Sequence, residues 1–193
     1  MSGTREPAVD AVESHVRAFF TGHSVEAVTY DLGPGRREVL PELRVLVVGP
    51  GPRGDAWAYV TAGCWSAMER NGRGLEFVMT AHVRDQRFVD LMAMLAYYHC
   101  GGHRLDLAHS MPLGEPWVPG STCDHLLISL PYLHGPALEH CPLPGGGHAR
   151  ILWVLPVTRA EIEYRRRHGH EALERLLDEA RIIPTAPFRA SVV

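Results

Sequence analysis

The spacing of apolar residues predicts three helical regions, which are residues 7–20, 88–98 and 159–180. In each region apolar side chains recur every three or four positions, the period that gives a helix one buried face. Thr158 and Glu161 form the pattern of a capping box at the start of the third region. Gly169 interrupts this region, so the last helix is expected in two pieces.

Strands are predicted where the period changes to two, or where short apolar runs stand between turn residues. These segments are residues 25–32, 43–48, 56–61, 75–83, 126–130 and 149–155. The apolar positions of the helices and strands predict one core in a single domain, residues 1–193. Its expected members include Leu46, Tyr59, Phe77, Leu91, Leu95, Leu127, Trp153 and Leu176.

The connection between two of these strands contains the pattern G-x-G-x-x-G at residues 49–54. This pattern is typical of dinucleotide-binding loops when a helix follows it. Here Pro50 and Pro52 lack the backbone N–H groups that would bind a pyrophosphate, and a strand follows. The loop is therefore predicted to close a β-hairpin, and no cofactor-binding residue is assigned.

Composition excludes some classes of partner. The 193 residues are 46% hydrophobic and 21% charged, as in ordinary globular domains, and the net charge of −3 offers no basic surface for nucleic acid or an anionic membrane. No signal peptide and no membrane-spanning run is evident, so a cytoplasmic protein is expected. The four cysteines are expected to be free thiols. The tail after Pro184 is expected to be loosely held.

The densest candidate chemistry lies in residues 113–131. Pro116, Pro119 and Gly120 exclude regular structure before the apolar strand that ends at Pro131. Polar side chains are therefore presented on a loop and at the mouth of a strand, where they either build a site or only end the strand. For a protein-binding role, the predicted contact residues are Trp117, Asp124 and His125.

If the protein is an enzyme, its catalytic residues are expected among six side chains. Cys123, His125 and Ser129 would share one side of the strand, as a nucleophile and its base must, with Asp124 on the other side. No G-x-S-x-G elbow is present, and structural hydrogen bonding is the alternative role for each residue. The candidates are Glu76, His99, Glu115, Cys123, Asp124 and His125.

The 12 histidines and four cysteines also raise the question of a metal site. Cys100-x-x-His103 together with Cys123-x-His125 would supply four ligands, since alternate residues of a strand share a face. The residues between these pairs do not resemble a zinc knuckle or ribbon. No metal and no cofactor are therefore predicted.

An ordered set of segments resembles the bacterial suppressor-of-fused-like domain over about residues 25–180. It includes Gly-Leu-Glu-Phe-Val at 74–78 and Leu-Gly-Glu-Pro-Trp at 113–117. The other segments are residues 57–64, 96–99, 124–132 and 152–161. The resemblance implies an α+β domain with a central, mostly antiparallel mixed sheet flanked by helices, in agreement with the two periods found above.

The resemblance also implies a role in protein–protein recognition. The animal relative is a cytoplasmic regulator that grips a transcription-factor peptide between two domains, and this chain resembles only the first, so that grip does not carry over. Bacterial relatives resemble immunity proteins that neutralise polymorphic toxins, a role that needs no catalytic residue. A toxin domain is therefore the leading hypothesis for the partner. An enzyme of a specialised metabolite pathway, acting on a small molecule with the Cys, His, Asp and Glu residues around 113–131, is the alternative.

Overall fold

The structure is a computed structural model that describes residues 5–31, 33–68 and 74–193. In this part of the chain the strands are Val25–Thr29 (β1), Arg44–Val48 (β2), Trp57–Ala62 (β3), Leu75–Ala81 (β4), Ser110–Pro112 (β5), Cys123–Ser129 (β6), His140–Pro142 (β7) and His148–Thr158 (β8). The helices are Arg5–Phe19 (α1), Pro34–Arg37 (α2), Cys64–Met68 (α3), Gln86–Tyr98 (α4), Pro136–Glu139 (α5), Arg159–His168 (α6) and His170–Glu179 (α7). A π-helical turn, His99–His103, follows α4.

The eight strands form one mixed sheet in the order β1-β2-β3-β4-β8-β6-β5, and the short β7 pairs with β8 beside this path. Strands β4 and β8 run parallel, with Val78 opposite Trp153. The other pairs among the described strands are antiparallel. The chain is thus an α+β domain with a mostly antiparallel sheet, as predicted.

Helices cover both faces of this sheet and produce two layers of core. On one face, which we call the α4 face, Phe88 of α4 packs with Phe77 of β4. On the other face, which we call the α7 face, α1, α6 and α7 pack on the sheet through residues such as Val12 and Leu177. Because both faces of the sheet are covered, the sequences of the central strands are almost continuously apolar and show little alternation with polar residues.

Seven of the eight predicted core residues are buried, and the prediction was wrong for Leu176. Leu176 is only partly buried, whereas Leu173 and Leu177 are buried on the inner side of α7. Successive residues of a helix are rotated by about 100°, so Leu176 turns away from the core when Leu177 faces it.

Two predictions that depend on residues close together in the sequence, the capping box and the β-hairpin, are confirmed. The side chain of Thr158 accepts a hydrogen bond from the Glu161 N–H (3.2 Å), and Glu161 Oε2 accepts one from the Thr158 N–H (2.8 Å), which completes the capping box. Residues 49–54 lie in the connection between β2 and β3, which pair as an antiparallel hairpin. The short elements β5, β7, α2, α3 and α5 were not predicted, since three residues of a strand, or four or five of a helix, are too few to show a period.

Two further predictions from the sequence concern the cysteines and membrane-spanning segments. The four cysteines are free thiols, and Cys64, Cys123 and Cys141 are buried. No helix in the described part of the chain is long and apolar enough to cross a membrane.

Candidate functional site

Strand β6 carries polar side chains at both of its ends. Its first residues and the loop before them contain most of the site that the sequence predicted. We call this region the Cys123 end. Its last residue, Ser129, lies beside α7 at the opposite end of the strand, and we call that region the Ser129 end.

At the Cys123 end, the chain encloses its own candidate side chains. Cys123 is buried in the core of the α4 face, and burial raises the pKa of its thiol, which disfavours the nucleophilic thiolate. Trp117 is 2% exposed, its ring centroid lies 5.6 Å from that of Phe88, and its Nε1 donates a hydrogen bond to Ser121 Oγ (3.1 Å). Trp117 therefore occupies a core position rather than the surface position expected for a contact residue.

A β-bulge separates Cys123 from His125. Cys123 pairs with Thr158 and His125 pairs with the preceding residue of β8, Val157, so Asp124 is an extra residue in β6. Cys123 therefore joins the α4 face, whereas His125 follows the alternation of the rest of the strand on the α7 face. The prediction that Cys123 and His125 share one side of the strand was wrong, because it assumed an unbroken alternation.

Asp124 and His125 contact each other. Asp124 Oδ1 lies 2.7 Å from His125 Nδ1, and both side chains keep some exposure to solvent. Glu115 is exposed on the loop before β6. These three side chains are the part of the predicted site that a second molecule can still reach.

The C-terminal tail closes the Cys123 end. Arg189 forms a bidentate pair with the fully buried Glu161, with Nη1–Oε1 and Nη2–Oε2 distances of 2.6 and 2.7 Å. The Nη2 atom of Arg189 also donates to the carbonyl of Pro156 (3.0 Å), and the Thr122 hydroxyl donates to the carbonyl of Arg189 (3.3 Å). The sequence predicted a loosely held tail, but residues beyond Pro184 are anchored. The reason is that Arg189, which belongs to no periodic segment, pairs with the buried Glu161.

The ion pair changes the titration of Glu161. Burial by itself would raise the pKa of this carboxyl, but hydrogen bonds from Arg189 and from backbone N–H groups hold the pKa below its usual value. The carboxylate is therefore a structural anion that caps α6 and holds the tail.

Glu76, a catalytic candidate, has a structural position. It is fully buried, its Oε2 accepts a hydrogen bond from the Thr61 hydroxyl (2.6 Å), and its Oε1 accepts bonds from the backbone N–H groups of Gly63 (2.9 Å) and Trp65 (3.0 Å). Burial raises the pKa of this carboxyl. The side chain ties the start of α3 to β4.

His99, another catalytic candidate, is buried in the core of the α4 face. Its ring meets Phe77 edge to face at 5.2 Å between centroids, and neither ring nitrogen has a hydrogen-bond partner among the described residues. Burial lowers the pKa of His99 to about 4, so its imidazole is neutral at pH 7. The catalytic candidates are thus divided among the two core layers and the surface, and the fold does not bring all six together.

The Ser129 end opens into a cleft of about 560 Å³, a volume within the usual range of ligand-binding pockets. Tyr132 and Leu133 line this cleft and are 60% and 55% exposed, so two adjacent large side chains are accessible there to a second molecule. The apolar part of its lining consists of Leu127, Leu133, Trp153, Leu155, Leu177, Ile182 and Pro184.

Glu174 of α7 is the polar centre of this cleft. Its Oε1 accepts a hydrogen bond from the Ser129 hydroxyl (2.6 Å) and lies 3.0 Å from His170 Nε2. Its Oε2 accepts a bond from the Tyr132 hydroxyl (3.1 Å). Although Tyr132 is largely exposed, partial desolvation of its hydroxyl and the nearby Glu174 carboxylate raise its pKa to about 12, so this hydroxyl stays protonated and donates. Serine and histidine both face the carboxylate rather than each other, so the group is not a serine–histidine–acid triad.

Three exposed side chains of the cleft are charged and have no ion-pair partner among the described residues. They are Arg175, Asp178 and Arg181. Their charges remain available to a second molecule.

Of this group, the sequence predicted only that Ser129 shares a side of its strand with Cys123, and Glu174, His170 and Tyr132 were not among the predicted site residues. One signal was present, since His170 and Glu174 are four residues apart and share a side of their helix. Their meeting with Tyr132 depends on how α7 packs beside the end of β6, which no local pattern reports.

The ligands considered for a metal site do not converge. Cys100 and His103 lie on the π-helical turn after α4, while the bulge directs Cys123 and His125 to opposite faces. Within the described ranges, no group of three or more His, Cys, Asp or Glu side chains is arranged to hold a metal ion.

The family model of the suppressor of fused protein (SUFU) matches residues 40–189 of this chain. The chain belongs to the SUFU family. None of the curated protein sequences matches it. Among solved structures, it is similar to a SUFU homolog from Neisseria gonorrhoeae FA 1090, with 32% sequence identity and a TM-score of 0.82. That match covers 96% of this chain and 97% of the other.

Two more distant SUFU structures share the fold. The match to a chain of the Sufu–Fu complex has 16% identity and a TM-score of 0.72, and covers 96% of this chain and 92% of that chain. The match to Drosophila Suppressor of Fused has 15% identity and a TM-score of 0.58, and covers 90% of this chain. This chain spans 47% of the Drosophila one, so it corresponds to about half of that protein.

Proposed function

We propose that this SUFU protein is a cytoplasmic protein-binding domain that acts as an immunity protein by neutralising a polymorphic toxin. The observation that supports the proposal is the cleft at the Ser129 end. There, exposed Tyr132 and Leu133 lie beside Arg175 and Arg181, which form no ion pair with any described residue. Aromatic and arginine side chains dominate the energy of protein interfaces, and they do so next to pockets that exclude water.

A relative supports a protein partner. The Sufu–Fu complex shows a protein of this fold bound to another protein. For this chain we propose a toxin domain as the partner, bound over about 800 Å² of its surface, the usual area for a stable complex. The cleft would supply the centre of that area, and Asp124 and His125 would contact the partner only if the interface reaches the Cys123 end.

The alternative function, an enzyme acting on a small molecule of a specialised metabolite pathway, has weaker support. Its candidates Cys123 and His99 are buried in the core of the α4 face, and the hydrogen bonds of Glu76 serve the start of α3. A general acid or base must reach its substrate directly or through one water. The binding function requires no such arrangement.

The test is a comparison of two matched surface variants. Leu133→Glu places a charge at the edge of the cleft, and Met94→Glu places the same charge on an exposed apolar residue of α4. Each protein is used to capture partners from native lysate, and the captured protein is then purified and recombined. We expect a stoichiometric complex that suppresses the partner's toxicity in cells. Leu133→Glu should weaken it by about tenfold or more, and Met94→Glu should leave it unchanged.

The same assay separates the two hypotheses. Cys123→Ser and His125→Ala should leave complex formation nearly intact, whereas loss of a positioned acid, base or nucleophile lowers turnover by about 100-fold or more. Conversion of a pathway intermediate by the purified protein alone, abolished by one of these changes in a still-folded variant, would refute the immunity function.

A further inference from the structure

We propose that the cleft at the Ser129 end binds a basic side chain, an arginine or lysine of the protein partner, with Glu174 as its counter-ion. This inference rests on the proposed protein-binding function and names the residue type that the partner inserts.

Glu174 differs from comparable glutamates of this chain. Glu13, Glu139 and Glu161 also have largely buried side chains, and each lies 2.6–2.7 Å from an arginine. Glu76 has no arginine partner among the described residues, but its carboxyl accepts hydrogen bonds from the Thr61 hydroxyl and from two backbone N–H groups. Glu174 has a side chain only 22% exposed and pairs with no arginine among the described residues. Its ion-pair contact is with His170, which carries a charge only when protonated. A largely buried carboxylate without a permanently charged partner is costly, and an arginine or lysine from another molecule would offset that cost.

The hydrogen bonds of Glu174 leave room for such a cation. A carboxylate offers about four acceptor positions. Three are occupied, by the Ser129 hydroxyl, the Tyr132 hydroxyl and the Nε2 side of His170. The hydroxyl donors are neutral and orient the carboxylate without cancelling its charge. The remaining position on Oε2 can accept a charge-assisted hydrogen bond.

The walls of the cleft fit the rest of an arginine or lysine side chain. These side chains have three or four methylene groups that pack well against apolar surface while the charged end reaches a polar partner. Leu127, Leu155 and Leu177 provide that surface. Tyr132 and Trp153 also line the cleft, and the faces of aromatic rings attract cations.

The arginines of the cleft define what should flank the inserted residue. Arg175 and Arg181 are exposed, so their repulsion of an inserted cation is screened by water and salt. Glu174 lies in the less exposed, partly apolar part of the cleft, where its attraction is stronger. A partner with a basic residue between acidic ones would therefore satisfy both Glu174 and the two arginines.

The inference is tested with capped amino acids and the full-length protein. Nα-acetyl-arginine amide and Nα-acetyl-lysine amide are titrated while the indole N–H signal of Trp153 is followed by NMR. We expect saturable shifts with both probes, and weaker shifts with Nα-acetyl-norleucine amide, which has a similar stem without the charge. Binding should also weaken as salt is added.

Two carboxylate variants provide the matched comparison. Glu174→Gln keeps the shape of the side chain and should weaken binding of both cationic probes by about tenfold or more. Glu171→Gln removes an exposed carboxylate of the same helix that does not line the cleft, and it should change binding by about twofold or less. Ser129→Ala keeps the charge of Glu174 and should retain binding, which separates loss of the counter-ion from disturbance of the hydrogen bonds.

The outcomes distinguish this inference from the proposed function. Equal binding of the norleucine probe, or cationic binding that Glu174→Gln does not weaken, would overturn the cation site while leaving a captured toxin complex unaffected. Cationic probes that bind through Glu174, in a protein that neutralises no captured toxin, would leave the cation site standing and refute the immunity function. If Glu174→Gln lowers the melting temperature strongly, the comparison of charged and uncharged probes with the unsubstituted protein decides.

Discussion

The two ends of β6 use similar side chains in opposite ways. At the Cys123 end the polar groups are used internally: Arg189 neutralises Glu161, and Trp117 donates to Ser121. At the Ser129 end Glu174 also accepts hydrogen bonds, but it pairs with no arginine among the described residues and faces an open, largely apolar cleft. Polar residues at a strand end therefore indicate a site only where the chain leaves part of their bonding capacity unused.

The largest expected effect is a loss of stability when the ion pair at the Cys123 end is broken. Arg189→Ala leaves the fully buried Glu161 without its counter-ion, and we expect a loss of about 3–5 kcal/mol in the free energy of unfolding. Urea denaturation at neutral pH measures this loss. Arg175→Ala, at the Ser129 end, should change the same free energy by no more than about 0.5 kcal/mol. Similar losses for the two variants would contradict the distinction between the two ends.

A second variant separates charge from packing at the same position. Arg189→Met in a Glu161→Gln background buries no uncompensated charge, so it should destabilise the protein less than Arg189→Ala alone.

A smaller loss in the free energy of unfolding is expected at low pH, from a histidine near the Ser129 end. His134 follows this end of β6, and burial lowers the pKa of its imidazole to about 4, with a further contribution from the positive charge of Arg53. Its ring meets Phe19 and Phe20 edge to face. Because the unfolded chain takes up the proton first, near pH 6.5, this residue reduces stability as the pH falls from 6.5 toward 4 and has little effect above that range.

His134→Phe keeps the ring contacts and removes the titration. The unsubstituted protein should lose up to about 3 kcal/mol more than the variant between pH 6.5 and pH 4. His99, whose pKa is also lowered to about 4 by burial, is present in both proteins and cancels in the difference. Urea denaturation across this pH range measures it, and parallel curves for the two proteins would show that His134 does not titrate as described.

The smallest expected effect concerns the Asp124–His125 pair at the Cys123 end. Asp124→Asn keeps an acceptor oxygen at a partly exposed position, so the free energy of unfolding should change by less than about 1 kcal/mol. Toxin binding should also persist if the cleft is the centre of the interface. A loss of binding as large as that of Leu133→Glu would move the interface to the Cys123 end.

The sequence by itself determined the features that neighbouring residues encode. The helical period predicted α1, α4, α6 and α7, the apolar runs predicted the long strands, and the capping box of Thr158 and Glu161 was readable because its members are three residues apart. These patterns suffice for the fold class, since a period repeated over ten residues reports which side of an element is buried.

Only the tertiary structure decided where polar groups meet. The bulge at Asp124 places Cys123 and His125 on opposite faces of the sheet, although the alternation of residues in β6 does not predict an extra residue. Ser129 and Glu174 are 45 residues apart in sequence, and Arg189 lies 28 residues beyond its partner Glu161. Contacts at such separations depend on how the helices and the tail pack on the sheet. The periodicity of the sequence indicates that a side chain is buried, but it does not indicate which distant group that side chain contacts.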